Sequence, residues 1–340
     1  MGSEPDRRGR RRGELTMAAI AQLAGVSAPT VSKVINGRAG VAPTTRERVE
    51  ELLRRHGYRR PASIEPAPLL EVVFYTLESH LAVEIMRGVE RTAGEWSLAV
   101  GFTEMRGRRD WVEQLLARRP TGVIGVYHGF APREQGRIEA GAIPLVALDP
   151  TGEPHPSIPS VGATNWSGGL AATRHLLGLG HRRIATITGP PGFLCSRARL
   201  DGFRAAMDGA GVEVDPTLVR SGTFSFDDGL REACELLRMP SRPTAIVAGN
   251  DLQALGVYEA AREARVRIPD ELSVVGFDDV EHARWAGPPL TTIRQPLADM
   301  GAMAAEMVLT LARGQRPSPS RVELATTLIV RSSTAPPVVL

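Results

Sequence analysis

Apolar residues recur at helical spacing over residues 15–60. Thr16 suits the N-cap of a first helix, which ends at Gly25. Ser27 caps a second helix, which ends at Asn36 where a glycine follows, and a third helix comes after it. The pattern therefore predicts an all-α domain of three helices. We expect the first helix to bury these apolar side chains: Ala18, Ile20, Ala21, Leu23 and Ala24.

After residue 60 the hydrophobic pattern changes. Residues 61–69 contain three prolines, which is typical of a linker. From residue 70 to 335, short apolar runs alternate with amphipathic helical segments, which predicts parallel sheets covered by helices. This stretch is too long for one such sheet, so two α/β lobes are expected. The apolar runs are Leu70–Tyr75, Leu98–Phe102, Gly122–Val126, Leu145–Leu148, Arg183–Ile187, Ala245–Ala248 and Leu272–Phe277.

Charge is distributed unevenly between these two parts. The first 60 residues contain 13 basic and 6 acidic side chains, a net charge of +7, so the remainder carries −4 of the total of +3. Residues 1–14 are polar and arginine-rich, and we expect them to be a disordered basic tail. A basic module on an acidic body indicates a polyanionic partner, although a solubilising tail would give the same sum.

Other features of composition limit the location and the cofactors. No apolar segment follows the N-terminal arginines, and no apolar run is long enough to cross a bilayer, so we expect a cytoplasmic, nucleoid-associated protein without membrane contact. Cys195 and Cys234 are expected to be free thiols. The spacing of the histidines predicts no metal site, and nothing in the sequence calls for a cofactor.

The segment Ile20–Asn36 has the order of a helix-turn-helix, namely a helix, a tight turn at Gly25 and a capped second helix. In that motif the second helix enters the major groove of double-stranded DNA. A purely structural three-helix unit is the alternative. The residues expected to contact DNA are Thr16, Ser27, Ala28, Pro29, Thr30, Ser32, Lys33 and Asn36.

The same segment resembles the signature of the lactose-repressor (LacI/GalR) family of bacterial regulators, and the resemblance continues almost to the end of the chain. Further similar motifs are Val41–Val49, Thr164–Gly169, Leu177–Ile184, Arg199–Phe203, Gly249–Gly256, Ile268–Asp279 and Pro289–Gln295. The resemblance implies a sequence-specific transcriptional regulator, expected to be a repressor. It also implies a homodimer whose operator affinity is controlled by a small polar effector, expected to be a sugar.

By this resemblance, residues 70–335 form a two-lobed domain like a periplasmic binding protein, with the effector between the lobes. Lobe 1 would comprise residues 70–164 and 296–321, and lobe 2 residues 165–295 and 322–335. Three segments would cross between the lobes, near Asn165, Gln295 and Val322.

Eight side chains are candidates for effector binding. Asp149 and Asp278 end apolar runs, and the carboxyl ends of parallel strands are where α/β folds bind ligands. The resemblance assigns the same role to an arginine fork, two amides and an aromatic ring that stacks on the ligand. Two residues after the first predicted strand complete the set. The eight candidates are Ser79, His80, Asp149, Arg199, Phe224, Asn250, Asp278 and Gln295.

Several of these candidates have structural alternatives. Asp278 and Asn250 are good helix caps. Arg199 is also suited to pair with a surface acid, and Phe224 to lie in the core. Asp279 is expected to be structural rather than to face the ligand.

The chain departs from the family in the segment after Tyr58. Family members place a leucine-bearing hinge helix there, which inserts into the minor groove. Here that leucine is missing, and Pro66 and Pro68 would end a helix early, which leaves Ile64 as the candidate wedge. The chain also lacks a C-terminal leucine-heptad extension, so a dimer is expected rather than a tetramer.

Two other classes of protein compete with the regulator. A solute-binding protein of the transport type shares the two-lobed fold, but it needs an export signal and has no use for a helix-turn-helix. An enzyme is disfavoured because the sequence contains no dinucleotide-binding glycine motif, no P-loop and no nucleophile elbow.

Overall fold

The computed structural model describes residues 17–35, 40–55, 67–77, 81–127 and 131–338. The chain separates into two compact units, one within residues 1–65 and the other within residues 66–340. The predictions for Thr16, Asn36, Ile64, Ser79 and His80 lie outside the described residues.

The first unit contains three helices, α1 (Met17–Ala24), α2 (Ala28–Ile35) and α3 (Pro43–Arg55). Gly25 has a φ of +64° in the turn between α1 and α2, a conformation that glycine adopts without strain. The prediction for Leu23 is wrong, because this side chain is 54% exposed. Ile20, Ala21 and Ala24 form the buried side of α1. Leu23 lies about 100° around the helix from the centre of that side. The core of the unit consists of Ile20, Ala21, Ala24, Val31, Val34 and Val49.

The second unit alternates strands and helices, as the apolar runs predict. Its strands are β1 (Ala67–Phe74), β2 (Ala99–Glu104), β3 (Pro120–Val126), β4 (Leu145–Leu148), β5 (Ser160–Ala163), β6 (Ile184–Thr188), β7 (Val219–Ser221), β8 (Ala245–Ala248), β9 (Ser273–Asp278), β10 (Thr291–Arg294), β11 (Arg321–Leu324) and β12 (Thr327–Ile329). Its helices are α4 (Ala82–Glu95), α5 (Trp111–Arg118), α6 (Pro132–Ala140), α7 (Asn165–Gly178), α8 (Leu194–Gly209), α9 (Phe226–Leu237), α10 (Asp251–Glu263), α11 (Glu281–Trp285) and α12 (Leu297–Ala312).

These strands form two six-stranded sheets, one in each lobe. The order in the first sheet is β11-β5-β4-β3-β1-β2, and in the second it is β12-β10-β9-β8-β6-β7. All pairings are parallel except that of β12 with β10. In both lobes the chain therefore leaves successive strands at the same edge of the sheet, where side chains from distant parts of the sequence meet.

The chain crosses between the lobes at three places. The first two lie at Thr164 and after Arg294, close to the predicted positions. The third lies between Leu324 and Thr327 rather than near Val322, because Val322 pairs with Val161 in the first sheet. Residues 322–324 therefore belong to the first lobe.

The beginning of the second unit also differs from the prediction. Strand β1 starts at Ala67, so the last residues of the predicted linker are already strand. The proline within this stretch lies where the register of β1 with β3 shifts, between Ala67 and Leu70. A residue without an N–H is tolerated at such an irregularity.

Helices α7 and α8 of the second lobe approach each other closely through glycine. A Cβ atom on Gly169 would lie 2.2 Å from the carbonyl oxygen of Arg199, and one on Gly202 would lie 2.1 Å from that of Trp166. Only glycine allows two helix backbones to lie so near each other. This close packing fixes the position of α8 relative to α7, and therefore the position of Arg199.

We predict that Gly202→Ala destabilises the second unit by about 1–3 kcal/mol, because the added methyl group meets rigid backbone. Gly209→Ala on the same helix is the matched control, since a Cβ there has no atom within 4 Å. The control should change the free energy of unfolding by less than about 1 kcal/mol. Urea unfolding followed by tryptophan fluorescence measures both variants. Equal stabilities would mean that α8 is free to shift.

Candidate functional site

A cleft of about 660 Å³ lies between the carboxyl-terminal edges of the two sheets. Tyr75, Tyr127 and Asp149 enter it directly after β1, β3 and β4, and Asn250 and Asp278 enter it from the ends of β8 and β9. The structure brings six of the eight predicted effector residues together around this cleft. They are Asp149, Arg199, Phe224, Asn250, Asp278 and Gln295.

Arg199 is the central cation of the cleft and is only 9% exposed. Its Nε donates to Oδ1 of Asn165 at 2.8 Å, and its Nη1 donates to the carbonyl oxygen of Gly249 at 2.6 Å. The guanidinium carbon lies 3.6 Å from the ring centroid of Phe277. Its acidic partner is the buried Asp278, at 3.7 Å, rather than a surface acid.

Asp278 ends β9 with a φ of +112° and accepts a hydrogen bond of 2.7 Å from Nε2 of Gln295. It does not cap helix α11. Asp251 serves that turn instead, since its carboxylate accepts from the backbone N–H of Val280 at 2.9 Å and from the hydroxyl of Thr292 at 2.5 Å. The Asp278 carboxylate is therefore positioned by Gln295 and Arg199, which also line the cleft.

Asp279 is structural, as predicted. Its side chain is 1% exposed and forms ion pairs with Arg294 at 2.7 Å and Arg331 at 2.5 Å. These bonds join the end of β9 to β10 and to the segment after β12, and thereby fix the backbone on which Asp278 sits.

Burial raises the pKa of three carboxyl groups that line the cleft. The pKa of Asp149 rises to about 6 because the group is desolvated, although the positive charge of Arg199 opposes the rise. The pKa of Asp278 also rises to about 6 for the same reason, with Arg199 again opposing. Desolvation raises the pKa of Asp251 well above its usual value. The cleft therefore holds carboxyl groups whose ionised forms are destabilised until something compensates them.

Asn250 has both a structural role and a place in the cleft. Its Oδ1 accepts from the backbone N–H of Gln253 at 2.9 Å and caps α10, and its Nδ2 donates to the carbonyl oxygen of Phe224 at 3.0 Å. The helix-cap alternative is therefore confirmed for this residue. The bond to Phe224 also fixes the loop that carries the aromatic ring.

Phe224 is half-buried and lines the cleft. Its φ of +65° is rare for a side chain of this size. The ring packs against the backbone of Gly189, where a Cβ would lie 2.1 Å from the ring. The ring of Phe193 stands 6.5 Å away, centroid to centroid. These contacts orient a flat apolar surface in the cleft.

Sequence reasoning missed other residues that line the cleft. Tyr127 directly follows the apolar run of β3, so the rule that selected Asp149 would also have found it. Phe193 and Cys195 stand at the start of α8, and no sequence pattern marks their orientation. Cys195 is a free thiol, as is Cys234, which confirms the prediction for both. The missed lining residues include Tyr75, Tyr127, Thr151, Phe193 and Cys195.

Helix α2 of the first unit has the cap and the exposed surface expected of the second helix of a helix-turn-helix. Oγ of Ser27 accepts from the backbone N–H of Thr30 at 3.3 Å, which confirms the predicted cap of α2. Ala28, Pro29 and Lys33 are exposed, whereas Thr30 and Ser32 are partly buried. The opposite side of α2 is buried through Val31 and Val34, so Ala28, Pro29 and Lys33 face outward.

Among the described residues, no group of three or more histidine, cysteine, aspartate or glutamate side chains is arranged to hold a metal ion. No helix in the described part of the chain is long and apolar enough to span a membrane.

Two family models match the chain, one in each unit. Residues 16–61 match the model of bacterial regulatory proteins of the lacI family. Residues 173–334 match the model of a periplasmic binding protein-like domain.

Curated relatives match over nearly the full length. The chain is 33% identical to the HTH-type transcriptional regulator CelR of Thermobifida fusca, over 95% of this chain and 99% of the relative. It is 32% identical to the ribose operon repressor of Escherichia coli K12, over 94% and 99%.

Solved structures agree with these matches. A complex of the regulator CelR with cellobiose superimposes with a TM-score of 0.72 at 32% identity, covering 94% of this chain and 100% of that one. The lac repressor dimer bound to operator and an anti-inducer has a TM-score of 0.68 at 28% identity, over 95% and 99%. The helix-turn-helix, the two-lobed cleft and these full-length matches together show that the chain belongs to the lacI family of bacterial regulatory proteins and is a DNA-binding transcriptional regulator.

Proposed function

We propose that this chain is a homodimeric repressor whose affinity for operator DNA is controlled by a sugar bound in the cleft between the lobes. The observation that carries this proposal is the set of polar side chains around the cleft. Carboxylate, amide and guanidinium groups from both lobes converge there beside the Phe224 ring. Hydroxyl groups pair with such donors and acceptors, and the apolar side of a sugar ring packs on an aromatic ring.

The relatives support a sugar as the effector. The CelR structure contains cellobiose, and the ribose operon repressor is named for a sugar operon. The cleft of about 660 Å³ has room for either a pentose or a disaccharide. Cellobiose and ribose are therefore the first ligands to test.

Control of DNA binding follows from the position of the ligand. Asp149 belongs to the first lobe, whereas Arg199 and Asp278 belong to the second. A ligand that bonds to both lobes favours one arrangement of the lobes over others. Such a preference changes operator affinity by about 1–3 kcal/mol in typical allosteric proteins.

The DNA interface is proposed to be the outward side of α2. Ser27, Ala28, Pro29 and Lys33 are exposed there, and the partly buried Thr30 and Ser32 complete the proposed set. Small residues at the tip allow close approach to base edges. A dimer would present two such helices to two half-sites about 34 Å apart, as twofold symmetric operators require. The lac repressor dimer on its operator supports this arrangement. The regulator would act in the cytoplasm, at the nucleoid.

For DNA binding, we predict that Lys33→Ala weakens binding and reduces the slope of log Kd against log salt by about 1, because one phosphate contact is lost. The measurement is fluorescence anisotropy with an operator selected from a random-sequence library, at several salt concentrations. Arg204→Ala, an exposed arginine in the second unit, is the control and should leave the slope unchanged.

Chemical labelling gives an independent check of the same interface. Lys33 is the single lysine of the chain, so an amine-reactive reagent labels only this side chain and the N-terminus. Bound operator should protect Lys33 from the reagent. Unprotected Lys33 together with an unchanged salt slope would remove α2 from the interface.

For effector binding, we predict that Arg199→Lys weakens the binding of the active sugar at least about tenfold and reduces its effect on operator affinity. Lysine keeps the charge opposite Asp278 but cannot bond to Asn165 and Gly249 in the same fork geometry. Arg204→Lys on the same helix should bind the sugar as the parent does. Calorimetric titration with cellobiose and ribose measures both variants. Unaltered affinity in Arg199→Lys would place the sugar elsewhere.

For pH dependence, we predict that Asp149→Asn is more stable than the parent at pH 7.5 by about 1–3 kcal/mol. The folded pKa of Asp149, about 6, lies above the ordinary value of 3.8 for this group, so ionisation destabilises the folded state. This cost is absent below pH 4, grows as the pH rises, and is complete above pH 6. The advantage of the variant should therefore disappear near pH 4.

Urea unfolding at several pH values tests this prediction, with the exposed Asp299→Asn as the control. All four tryptophans lie in the second unit, so their fluorescence reports on the unit that contains Asp149. A variant less stable than the parent at pH 7.5 would show that the carboxylate is stabilised within the protein.

A further inference from the structure

Three polar atoms in the cleft have no hydrogen-bond partner among the described residues. They are Oη of Tyr127, Oδ2 of Asp149 and Oε1 of Gln295, and all three are buried. Buried polar atoms are almost always paired, and an exception at a binding cleft indicates a group that a ligand satisfies. Four other buried side-chain atoms of the described residues are also unpaired, but their residues do not line the cleft: Glu71, Ser196, Arg220 and Gln253. The hydroxyl of Tyr258, by contrast, donates to the carbonyl oxygen of Pro288 at 2.9 Å.

The backbone places the first two of these groups side by side. In the parallel register of β3 and β4, Val126 lies opposite Leu148, so Tyr127 and Asp149 are the next pair beyond the end of the sheet. Both have left-handed backbones, with φ of +50° and +44°. Their N–H groups remain bonded, to Leu148 and Val161 at 3.0 and 2.7 Å, so the strained conformations turn the side chains and not the strands. Strain of this kind is concentrated at functional sites.

The protonation states of Tyr127 and Asp149 determine which of them donates and which accepts a hydrogen bond from a ligand. Burial raises the pKa of the Tyr127 phenol well above its usual value, and the nearby Asp149 charge raises it further. Tyr127 is therefore a neutral hydroxyl and can donate a hydrogen bond, whereas Asp149 and Gln295 present acceptors. A matching ligand must accept from Tyr127 and donate to the other two. A hydroxyl group does both, but an ionised phosphate or carboxylate only accepts.

The charge of the cleft leads to the same ligand class. The guanidinium of Arg199 is already bonded to Asn165 and Gly249 and lies beside Asp278. The buried charges around the cleft are thus the carboxyl groups of Asp149, Asp251 and Asp278 and one cation that is already engaged. A second cation, Arg106, lines the cleft with an exposed side chain. An anionic group buried beside these carboxyls would meet unfavourable charge, and an uncharged hydroxyl would not.

We propose that Tyr127 is a specificity-determining residue of the cleft, which together with Asp149 selects an uncharged polyhydroxylated ligand over phosphorylated or carboxylated sugars. This inference rests on the proposed function and narrows its ligand to one chemical class. The tyrosine hydroxyl acts on the ligand directly and has no part in holding the protein together.

The first measurement needs no ligand. The thermal midpoint of Tyr127→Phe should equal or exceed that of the parent, since the lost hydroxyl has no partner within the protein. Tyr258→Phe is the matched control and should lower the midpoint, because it removes a hydrogen bond to the partly buried carbonyl oxygen of Pro288. A lower midpoint for Tyr127→Phe would overturn the inference, because the hydroxyl would then have a structural partner.

The second measurement uses cellobiose, maltose, glucose and ribose, together with glucose phosphate, ribose phosphate and glucuronate. Any neutral sugar that binds the parent should bind Tyr127→Phe about tenfold more weakly, and Tyr258→Phe with unchanged affinity. Among deoxy derivatives of that sugar, one should lose affinity for the parent but lose nothing further for Tyr127→Phe, as a double-mutant cycle requires.

The outcomes separate this inference from the proposed function. Equal sugar affinity in Tyr127→Phe and the parent would overturn the inference and leave the sugar-controlled regulator intact. Tighter binding of a phosphorylated or carboxylated sugar than of its neutral counterpart would also overturn the inference alone. If none of the sugars bound the parent, the sugar effector and this inference would both fail.

Discussion

The cleft depends on one buried cation. The guanidinium of Arg199 is held by Asn165, which stands next to the first crossing between the lobes, and by the carbonyl oxygen of Gly249 after β8. Its charge compensates Asp278, which in turn accepts from Gln295 at the second crossing. A buried charge without such partners would be costly, so these bonds have to form together. The same group therefore orders the ligand cleft and the segments that connect the lobes.

The crossings themselves are joined by hydrogen bonds. The hydroxyl of Thr164 accepts from the backbone N–H of Thr326 at 2.9 Å, which ties the first crossing to the third. The second crossing carries Gln295, whose side chain lines the cleft. A ligand that bonds to Gln295 and to residues of both lobes acts on these segments at once. This geometry explains how a small molecule can bias the relative orientation of two well-packed lobes.

The cleft is built at a cost to the stability of the ligand-free protein. Tyr127, Asp149 and Phe224 all have left-handed backbones, and Asp149 is a desolvated acid without a partner for Oδ2 among the described residues. The surrounding core is rigid enough to hold these conformations, because the sheets on either side are filled with fully buried aliphatic side chains. Strain and unpaired groups are expected where a ligand completes the structure.

The sequence by itself determined the helix-turn-helix, the two α/β lobes and the positions of Asp149 and Asp278, because long apolar runs and strand ends are local features. It did not reveal the short strands β5, β7, β10, β11 and β12, whose residues are partly exposed or polar. Such strands exist because a neighbouring strand supplies their hydrogen bonds, so the third crossing could only be located from the pairing of Val322 with Val161. The ion pair of Arg199 with Asp278 and the unpaired hydroxyl of Tyr127 also arise only in the folded chain, since burial and the meeting of residues distant in sequence are properties of tertiary structure.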